Sequence, residues 1–497
     1  MDSSQENIRD ANDLIRERLK KLEAVKALGV DPFGGKFQKE GPIASLLAGF
    51  EEKKRVRTAG RLTACRLMGK TTFYDLKDES ARIQLYVKHE DLAADQRQLF
   101  ECLDIGDILG VEGELFKTKT GEISIRVNHL RLLSKSLRPM PEKWHGLKDV
   151  ERRYRQRYLD LVSNDPTRDL FKKRSLIIRS IRRFLDEKGY LEVETPMMHS
   201  IPGGAAGKPF KTRHEALKTD LYLRVAPELY LKKLLVGGFD KVYEVNKSFR
   251  NEGISTRHNP EFTMLEVYTA YQDVGDVMDL TQELIQKTAR EVLGSLVIPS
   301  GGGTVDLTKW ERVSFGELVK RRFGIEPSDD MRVWIEKIRK KGFKVESRDG
   351  KDISRTQLIN LVGELLEPGG EAADGPSRPV FVTDYFTELC PLAKRRPDNP
   401  SLSERFELYI GGMEIANGYS ELNNPMEQRQ RFLDELKEKG KEEGPGVLDE
   451  DFLQALEYGM PPAGGLGVGV DRLVMLLTGQ SSIREVILFP QMKPENL

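Results

Sequence analysis

The sequence predicts an α+β protein in which a small β-barrel precedes a larger sheet flanked by helices. Residues 55–133 contain five short strand-like runs separated by turn signals, a pattern typical of a small closed barrel of the OB type. Beyond residue 166, strand-like runs with hairpin signals alternate with helical periodicity, and no glycine-rich loop of the dinucleotide or Walker kind is present. A chain of 497 residues is long enough for two or three such domains.

The segment before the barrel is predicted to be helical. Residues 8–28 repeat apolar residues at helical spacing, and the pattern ends at Gly29, so we expect a helical extension over residues 1–50. The barrel is then expected over residues 51–140, followed by a linker marked by proline and glycine over residues 141–165.

The composition limits the cellular setting. Three cysteines at scattered positions are too few for a disulfide framework or a four-ligand zinc site. No apolar run is long enough to span a bilayer, and the first residues lack a signal-peptide pattern. These features predict a cytoplasmic protein without a membrane partner.

The charge is balanced overall but unevenly distributed. The formal net charge is zero, yet residues 131–183 contain sixteen Lys or Arg and only six Asp or Glu. Such a basic stretch is suited to binding a nucleic-acid backbone, since phosphate contacts supply most sequence-independent affinity. A solvated helix face would explain the same pattern equally well.

The barrel carries side chains suited to holding a single-stranded base. Phe73 lies in one strand-like run and offers a ring for stacking, and Gln84 in the next run offers an amide that can read a base edge. The alternative is that Phe73 belongs to the barrel core, and strand alternation does not decide between the two.

The most informative segment is the charged loop at 249–262. It places two arginines, a histidine and a glutamate directly before a strand-like run, and a guanidinium presents a planar fork of donors that matches phosphate oxygens. Period-two alternation predicts that Phe262, Met264, Glu266 and Tyr268 share one face of that strand. By itself, the loop could equally be a solvated loop beside a core strand.

Residues 405–415 read as two strands joined by a hairpin turn. Gly411 and Gly412 form the turn signal, and folding there brings Glu407 and Glu414 within about one rung of each other. Two facing carboxylates repel unless a cation lies between them, so the pair indicates either a cation site or a solvated sheet edge.

Three motifs in the chain resemble the three signatures of the class II aminoacyl-tRNA synthetases. The first covers 171–196, the second is the charged loop with its flanking strand, and the third covers 465–472. Three further segments are similar to the lysine-specific, bacterial-type branch that carries an N-terminal OB-fold anticodon-binding domain: 201–210, 226–230 and 411–423. The resemblance extends over nearly the whole chain.

This resemblance implies ATP-dependent ligation of L-lysine to tRNA(Lys) through a lysyl-adenylate, with release of AMP and pyrophosphate. It implies an antiparallel sheet flanked by helices in a catalytic domain over residues 166–497, and the region at about 275–370 reads as a helical insertion in it. It also implies a homodimer formed through the first signature, and Mg²⁺ as cofactor, held by Glu407 and Glu414.

The resemblance assigns roles to individual side chains. The catalytic residues are Arg250 and Arg472. The ATP-binding residues are Arg250, Glu252, His258, Asn259, Phe262, Glu414 and Arg472. The lysine-binding residues are Gly204, Glu228, Glu266, Tyr268, Asn417, Tyr419, Glu421 and Gly467. The anticodon-binding residues are Arg66, Phe73, Gln84 and Glu122.

The physics of lysine binding agrees with part of this set. A buried ammonium group must be met by carboxylates, because an unpaired buried charge costs several kcal/mol. Glu266 and Glu421 are the candidates for the side-chain ammonium, with the Tyr268 hydroxyl beside them, and Glu228 is the candidate for the α-ammonium.

Three other functions are compatible with part of these motifs. The aspartyl and asparaginyl relatives share the barrel and the catalytic fold, but Glu266 and Glu421 favour a cationic substrate. Enzymes of this kind that lysylate a protein generally lack the N-terminal barrel. A non-catalytic RNA-binding protein is disfavoured because Arg250, Arg472 and Phe262 are all in place.

Overall fold

The computed structural model describes residues 3–141, 147–205, 207–300, 303–326, 329–345, 353–366, 377–438 and 447–495. The chain forms two compact units, Met1–Leu147 and Lys148–Leu497. The division falls after Leu147, within the predicted linker, of which residues 142–146 lie outside the described residues.

The first unit contains a closed five-stranded barrel, as the sequence predicts. Its described residues also form three α-helices, of which the sequence predicts the first. The strands follow each other around the barrel in the order β1-β2-β3-β5-β4. Its elements are α1 (Ser3–Ala27), α2 (Ile43–Ala48), β1 (Arg55–Met68), β2 (Thr71–Lys77), β3 (Arg82–Lys88), α3 (Ala94–Glu101), β4 (Ile108–Lys117) and β5 (Ile123–Ser134).

The interior of the barrel is filled by inward-facing aliphatic side chains of all five strands. Leu62, Leu76, Leu85, Leu109 and Ile125 are fully buried there. Alternation with period two brings these residues to one side of each strand, and burial of each contributes about 1.5–3 kcal/mol. The outer face of the barrel is thereby free for polar and aromatic residues.

The second unit is built on an eight-stranded sheet in the order β14-β15-β16-β17-β18-β11-β10-β6. Up to the gap that residues 301–302 leave in the described ranges, its elements are α4 (Val150–Arg155), α5 (Arg157–Ser163), α6 (Asp165–Glu187), β6 (Leu191–Glu192), β7 (Met198–His199), β8 (Lys211–His214), β9 (Thr219–Leu223), α7 (Glu228–Val236), β10 (Lys241–Phe249), β11 (Glu261–Ala270), α8 (Val274–Leu293) and β12 (Val297–Ser300). Those after it are β13 (Gly303–Asp306), β14 (Glu311–Ser314), α9 (Phe315–Phe323), α10 (Met331–Lys340), α11 (Arg355–Leu366), β15 (Val380–Thr383), β16 (Arg405–Ile410), β17 (Met413–Ser420), α12 (Pro425–Glu438), α13 (Glu450–Glu457), β18 (Ala463–Gly469), α14 (Val470–Thr478) and α15 (Ile483–Val486).

The sheet is antiparallel where it matters for the site. All pairings between β15 and β10 through β16, β17, β18 and β11 are antiparallel, as predicted, whereas the two outermost pairings, of β14 with β15 and of β6 with β10, are parallel. The four central strands β16, β17, β18 and β11 therefore place directly opposed residues on the same face.

One face of this sheet is covered by helices. Ile181 of α6, Leu284 of α8 and Val474 of α14 pack with Leu265 and Val468 of the sheet in one buried cluster. Since neighbouring residues in a strand point to opposite faces, Glu266 and the residues aligned with it point to the other face.

The region predicted as a helical insertion is mixed. α8 belongs to the main core, β12 pairs with β13, and β14 joins the large sheet. α9, α10 and α11 share a separate core around Phe315, Trp334 and Leu358. Residues 346–352 and 367–376 lie outside the described residues, and the boundaries of an insertion at about 275–370 stay a prediction. None of the described helices has the length and apolar content that a membrane span requires.

A buried carboxylate, that of Asp471, links three elements of the second unit. Asp471 of α14 accepts a hydrogen bond of 2.7 Å from the Thr263 backbone N–H of β11 and forms an ion pair of 2.6 Å with Arg174 of α6. Arg174 also donates to the Thr263 hydroxyl at 3.1 Å. This contact fixes the strand position next to Phe262 relative to the helix position next to Arg472.

Replacing this carboxylate by its neutral isostere should destabilise the second unit. Asp471→Asn leaves the Arg174 guanidinium, which is 14% exposed, without its counter-ion, and we expect a loss of about 3 kcal/mol in the free energy of unfolding. Urea denaturation would measure it. The control is Asp434→Asn on α12, an exposed partner of Lys437, for which we expect a much smaller change. Equal effects for both variants would contradict the account.

Candidate active site

Four strands align side chains in a row on the sheet face opposite α6, α8 and α14. Glu266 of β11 lies opposite Gly467 of β18, and Gly467 lies opposite Asn417 of β17. Asn417 lies in turn opposite Glu407 of β16. β11 runs through the segment predicted as a strand, so Glu266 faces the row as expected from its alternation.

A second row lies one side-chain repeat away and depends on a glycine. Tyr268 lies opposite Gly465, and Gly465 lies opposite Tyr419. A Cβ atom at position 465 would overlap Oε1 of Glu421 and lie 2.8 Å from a ring carbon of Tyr268. Only glycine leaves room for these two side chains over β18. Gly467 is among the predicted lysine-binding residues, whereas Gly465 is not. The alternation of glycines along the third signature would have indicated Gly465 as well.

Three carboxylates converge over these rows. Glu228, Glu266 and Glu421 are 6%, 5% and 1% exposed. The Tyr268 hydroxyl donates to Glu266 Oε2 at 3.1 Å, and the Tyr419 hydroxyl donates to Glu228 Oε1 at 2.6 Å. Within the described part of the chain, Oε1 of Glu421 has no hydrogen-bond partner. A buried acceptor of this kind is costly unless a donor meets it.

The cluster contains a cation that the sequence analysis missed. Lys232 of α7 is fully buried, and its Nζ lies 2.7 Å from Glu228 Oε1 and also forms an ion pair with Glu421. Lys232 follows Glu228 by four residues, the spacing at which side chains meet on one face of a helix. That spacing was the available signal.

A fourth glutamate nearby is already neutralised. Glu244 of β10 lies directly opposite Glu266, and like charges in that position repel. The Arg224 guanidinium donates to Glu244 Oε1 at 2.7 Å, and the Thr195 hydroxyl donates to its Oε2 at 2.7 Å. Glu244 is therefore a paired structural carboxylate, and the surplus negative charge lies on the other three.

Burial disfavours the ionised form of two of these carboxylates, Glu266 and Glu421. Burial, reinforced by the neighbouring Glu228, raises the pKa of Glu266 to about 8. Burial also raises the pKa of Glu421 well above its ordinary value, although the Lys232 ammonium acts in the opposite direction. A ligand that carries ammonium groups would supply the missing positive charge.

The wall of this pocket near Glu228 needs a second glycine. Gly204 has φ of +87°, and a Cβ atom there would lie 3.2 Å from the Glu228 Cβ atom. A side chain would be strained by the backbone conformation and crowded by Glu228. Gly204 thus lies against the carboxylate cluster, as do Tyr268 and Tyr419, and Glu421 is a member of that cluster.

The charged loop places its first arginine at the other end of β11. The Arg250 guanidinium lies 5.2 Å from the ring centroid of Phe262, and its Nε is buried without a hydrogen-bond partner among the described residues. Gly207 allows this placement, because a Cβ atom there would lie 3.1 Å from the Arg250 side chain. An unsatisfied guanidinium beside an aromatic face suits an anionic group attached to a planar ring.

The second arginine closes the same end from α14. Arg472 donates to the Glu414 backbone carbonyl at 2.9 Å and to Glu414 Oε2 at 3.1 Å, and it contacts His258 Nε2 at 3.3 Å. Burial, with the charge of Arg472, lowers the pKa of His258 below its ordinary value. A neutral imidazole that donates from Nδ1 to Ser255 Oγ at 2.9 Å leaves Nε2 as the acceptor for Arg472.

The remaining loop residues lie on both sides of Arg250. Asn259 is buried and donates to the Glu261 backbone carbonyl at 2.5 Å, while its Oδ1 has no partner among the described residues. Glu252 is exposed, with Oε1 3.4 Å from the position of a Cβ atom on Gly207. The structure thus brings all seven predicted nucleotide contacts to this end of β11.

The two predicted metal ligands are close in the sheet but not directly opposed. The hairpin turns at Gly411 and Gly412, with φ of 58° and 72°, as the sequence indicates. A bulge after Leu408 places Glu414 opposite Tyr409, whereas Glu407 pairs with Asn417. The two carboxylates are therefore diagonal neighbours. Among the described residues, no group of three or more His, Cys, Asp or Glu is arranged so that it could hold a metal ion.

The two carboxylates differ in how many donors already reach them. Glu407 accepts from the hydroxyls of Tyr385 and Tyr409 at 2.8 and 2.7 Å on Oε2, and from Arg405 at 2.6 Å on Oε1. Two carboxylate oxygens offer about four acceptor sites, so one on Oε1 remains. Glu414 is half-buried, and among the described residues it receives, beyond Arg472, a single long contact of 3.4 Å from Asn417. This donor set of hard oxygens fits Mg²⁺.

The outer face of the barrel carries an aromatic row. Phe73 is half-buried outside the barrel core, and its ring lies 5.4 Å from that of Tyr86, which lies 5.5 Å from that of Phe116. Beside the row, Gln84 donates to Glu122 at 3.0 Å and accepts from the Ser124 hydroxyl at 2.9 Å. The placement of Phe73 argues against the alternative that it fills the core.

The last predicted residue of this face lies one strand away. Arg66 of β1 lies directly opposite Phe73 and is half-exposed, with a guanidinium nitrogen 3.6 Å from Asp75 Oδ1. The half-buried Phe73 ring, the exposed Arg66 and the oriented, buried Gln84 amide together form a surface that suits an unpaired base.

Comparison with known proteins identifies the family. The model of the class II tRNA synthetases (D, K and N) matches residues 149–493, and that of the OB-fold nucleic acid binding domain matches residues 56–133. A protein of Carboxydothermus hydrogenoformans named lysine–tRNA ligase is 50% identical, over 98% of this chain and 99% of that protein. Proteins of the same name from Pelotomaculum thermopropionicum and Moorella thermoacetica are 51% and 50% identical, over 98% and 97% of this chain and 96% and 98% of those proteins. The chain therefore belongs to the class II tRNA synthetases of the D, K and N group.

Proposed function

We infer that this chain joins L-lysine to tRNA(Lys) in an ATP-dependent reaction through a lysyl-adenylate. The observation that carries this inference is the buried carboxylate cluster at one end of β11, next to a pair of arginines at the other end. The family and the names of the relatives support the same conclusion. ATP, L-lysine and tRNA(Lys) are accordingly the substrates.

In the first step, the lysine carboxylate attacks the α-phosphorus of ATP. A carboxylate–phosphorus bond forms, the bond to the β-phosphate oxygen breaks, and pyrophosphate leaves. The two anions approach each other where Arg250 has an unsatisfied donor, so this arginine neutralises the charge that builds up on the α-phosphate. Phe262 offers the face for adenine, and Arg472 binds the outer phosphates.

The other predicted nucleotide contacts complete this end. Glu252, His258 and Asn259 lie around Arg250, and the orphan Oδ1 of Asn259 is an acceptor that a nucleotide amino or hydroxyl group can satisfy. In the second step, a ribose hydroxyl at the tRNA end attacks the lysyl carbonyl and AMP leaves.

The carboxylate cluster selects lysine by charge. Glu228 takes the α-ammonium, and Glu266 and Glu421, with the Tyr268 hydroxyl, take the side-chain ammonium. The pocket is lined further by Gly204, Asn417, Tyr419 and Gly467. An asparagine or aspartate side chain would leave buried carboxylates unpaired or repelled, which supports strong discrimination against those substrates.

We propose Glu407 and Glu414 as the holders of Mg²⁺. Glu414 faces Arg472 at the phosphate end, and Glu407 retains one acceptor site. The ion, when bound, offsets the charge of the ATP phosphates. The contribution of the chain itself is to hold both carboxylates in place through ion pairs, Glu407 with Arg405 and Glu414 with Arg472.

The barrel is proposed to bind the anticodon of tRNA(Lys). Phe73 would stack on one base, Gln84 and Glu122 would read its edge, and Arg66 would contact the backbone or the base. The existing hydrogen bond between Gln84 and Glu122 holds the amide in a fixed orientation before any base arrives.

A homodimer and a cytoplasmic location complete the proposal. Leu176 of α6, Leu191 of β6 and Met198 of β7 are 45%, 47% and 54% exposed, which makes the first signature an apolar surface that a second copy could cover. Cys65, Cys102 and Cys390 are free thiols, which is the usual state in a reducing compartment.

The function is tested by amino-acid-dependent ATP–pyrophosphate exchange. The measurement uses the full chain with Mg²⁺ and without tRNA, once with each of the twenty amino acids. We expect exchange with lysine and none with the others. Exchange with aspartate or asparagine would contradict the specificity, and no exchange from a folded protein would favour the non-catalytic RNA-binding alternative.

Neutralising the strand carboxylate should impair lysine recognition. In Glu266→Gln the amide keeps the shape but loses the charge that meets the ammonium, so we expect KM for lysine to rise at least about 30-fold, corresponding to about 2 kcal/mol. KM for ATP should change little. Glu283→Gln, at an exposed ion pair on α8, is the control and should leave both constants unchanged. Normal lysine activation by Glu266→Gln would show that the pocket is wrongly assigned.

Adding one methyl group beneath the pocket should have a similar effect. Gly465→Ala forces Glu421 and Tyr268 to move, and we expect KM for lysine to rise about tenfold or more. The same exchange assay measures it. Gly41→Ala, at a glycine with no atom within 4 Å of the added Cβ atom, is the control. Unchanged lysine KM in Gly465→Ala would contradict the role of this glycine.

A further inference from the structure

The buried ammonium of Lys232 is not explained by substrate contacts or by the fold. It lies between two carboxylates that are each proposed to bind a different end of the substrate, Glu228 for the α-ammonium and Glu421 for the side-chain ammonium. Its side chain is fully buried. Burying an ammonium of this kind costs several kcal/mol unless carboxylates compensate it, so an apolar residue would be the cheaper way to fill the space.

The charges around Lys232 can be counted from every element packed against it. Three carboxylates form the pocket, and a fourth, Glu244, is paired with Arg224. Lys232 therefore leaves two carboxylate charges uncompensated, and a lysine substrate brings two ammonium groups. The charged groups that meet the ammonium are Glu228 on α7 and Glu421 after β17, and the Tyr419 ring on β17 lies beside it. Around these partners lie Glu266 and Tyr268 on β11, and Arg405 of β16, which lies opposite Tyr419.

The geometry shows that Lys232 also fixes orientation. Its Nζ takes one oxygen of Glu228 and one of Glu421, and the Tyr419 hydroxyl shares the same Glu228 oxygen. Nζ also lies 5.6 Å from the centroid of the Tyr419 ring. Oε1 of Glu421 is left unpartnered among the described residues, above Gly465. The ammonium thus occupies one oxygen of each carboxylate and leaves the other for a ligand.

We propose that Lys232 is a specificity-determining positioning residue, which orients Glu228 and Glu421 and sets the pocket to accept two substrate ammonium groups. This inference rests on the proposed function, because it assumes that lysine occupies the pocket. Lys232 acts through the two carboxylates that it contacts, Glu228 and Glu421.

Loss of the ammonium should appear in the pH dependence of lysine use. A carboxyl group whose pKa is raised is ionised only above that pKa, so a pocket of this kind binds a cation better as pH rises and reaches a plateau above the pKa. Because the pKa of Glu266 is raised to about 8, we expect the affinity of the unaltered protein for lysine to rise as the pH approaches 8. Without Lys232, Glu421 loses the ammonium that opposes the effect of burial on its pKa, so the pKa of Glu421 should rise further.

The test compares Lys232→Met, Lys232→Gln and Lys232→Arg in the full chain by lysine-dependent ATP–pyrophosphate exchange. For the two neutral variants we expect KM for lysine at pH 7 to rise about tenfold or more, with KM for ATP within about twofold. The plateau in the pH profile of kcat/KM for lysine should shift upward by about one pH unit. Lys232→Arg retains the charge and should recover most of the lysine affinity and the original profile.

A matched control is the next residue along α7. Lys233→Met removes an ammonium that pairs with the exposed Asp451 away from the pocket, and its exchange kinetics should equal those of the unaltered protein. Lys232→Gln can still donate to a carboxylate and keeps the fold testable if Lys232→Met does not fold. A folded neutral variant with unchanged lysine KM and pH profile would overturn the inference. Failure of the unaltered protein to use lysine would instead overturn the proposed function.

Discussion

The burial of three carboxylates over one face of the large sheet is the constraint on which the rest of the site depends. Glu228, Glu266 and Glu421 are almost inaccessible to solvent, yet Lys232 is the single cation that the structure shows paired with them among the described residues. Such an arrangement is unfavourable in the free protein and becomes favourable when cations enter. Binding energy that depends on charge compensation is lost for every substrate without those charges.

Several features of the fold follow from making room for this cluster. Gly465 leaves its side of β18 bare so that Glu421 can lie across it, and Gly204 does the same beside Glu228. The antiparallel register brings Glu266, Asn417 and Glu407 into one row, so the carboxylates proposed to bind lysine and Mg²⁺ occupy the same face. Arg250 and Arg472 lie at the other end of β11, which separates the proposed phosphate site from the carboxylate pocket.

Periodicity and motifs in the sequence predicted the barrel, the strand from Glu261 and the turn at Gly411, because each depends on local backbone preferences. The family resemblance assigned ATP-binding and lysine-binding roles to residues that lie around the carboxylates and arginines in the structure. What could not be predicted depends on tertiary packing: the bulge that offsets Glu407 from Glu414, and the burial of Lys232 between two distant glutamates. The parallel pairing of both outer strands likewise depends on crossover connections, which local patterns do not specify.

The central claim is that the pocket is completed by the side-chain ammonium of its ligand. Isothermal calorimetry with L-lysine and with L-6-hydroxynorleucine, which replaces that ammonium by a hydroxyl at the same chain length, tests it most directly. We expect the hydroxyl analogue to bind at least about 100-fold more weakly, corresponding to about 3 kcal/mol for leaving buried carboxylates without their counter-ion. Dissociation constants within a few-fold of each other would contradict it.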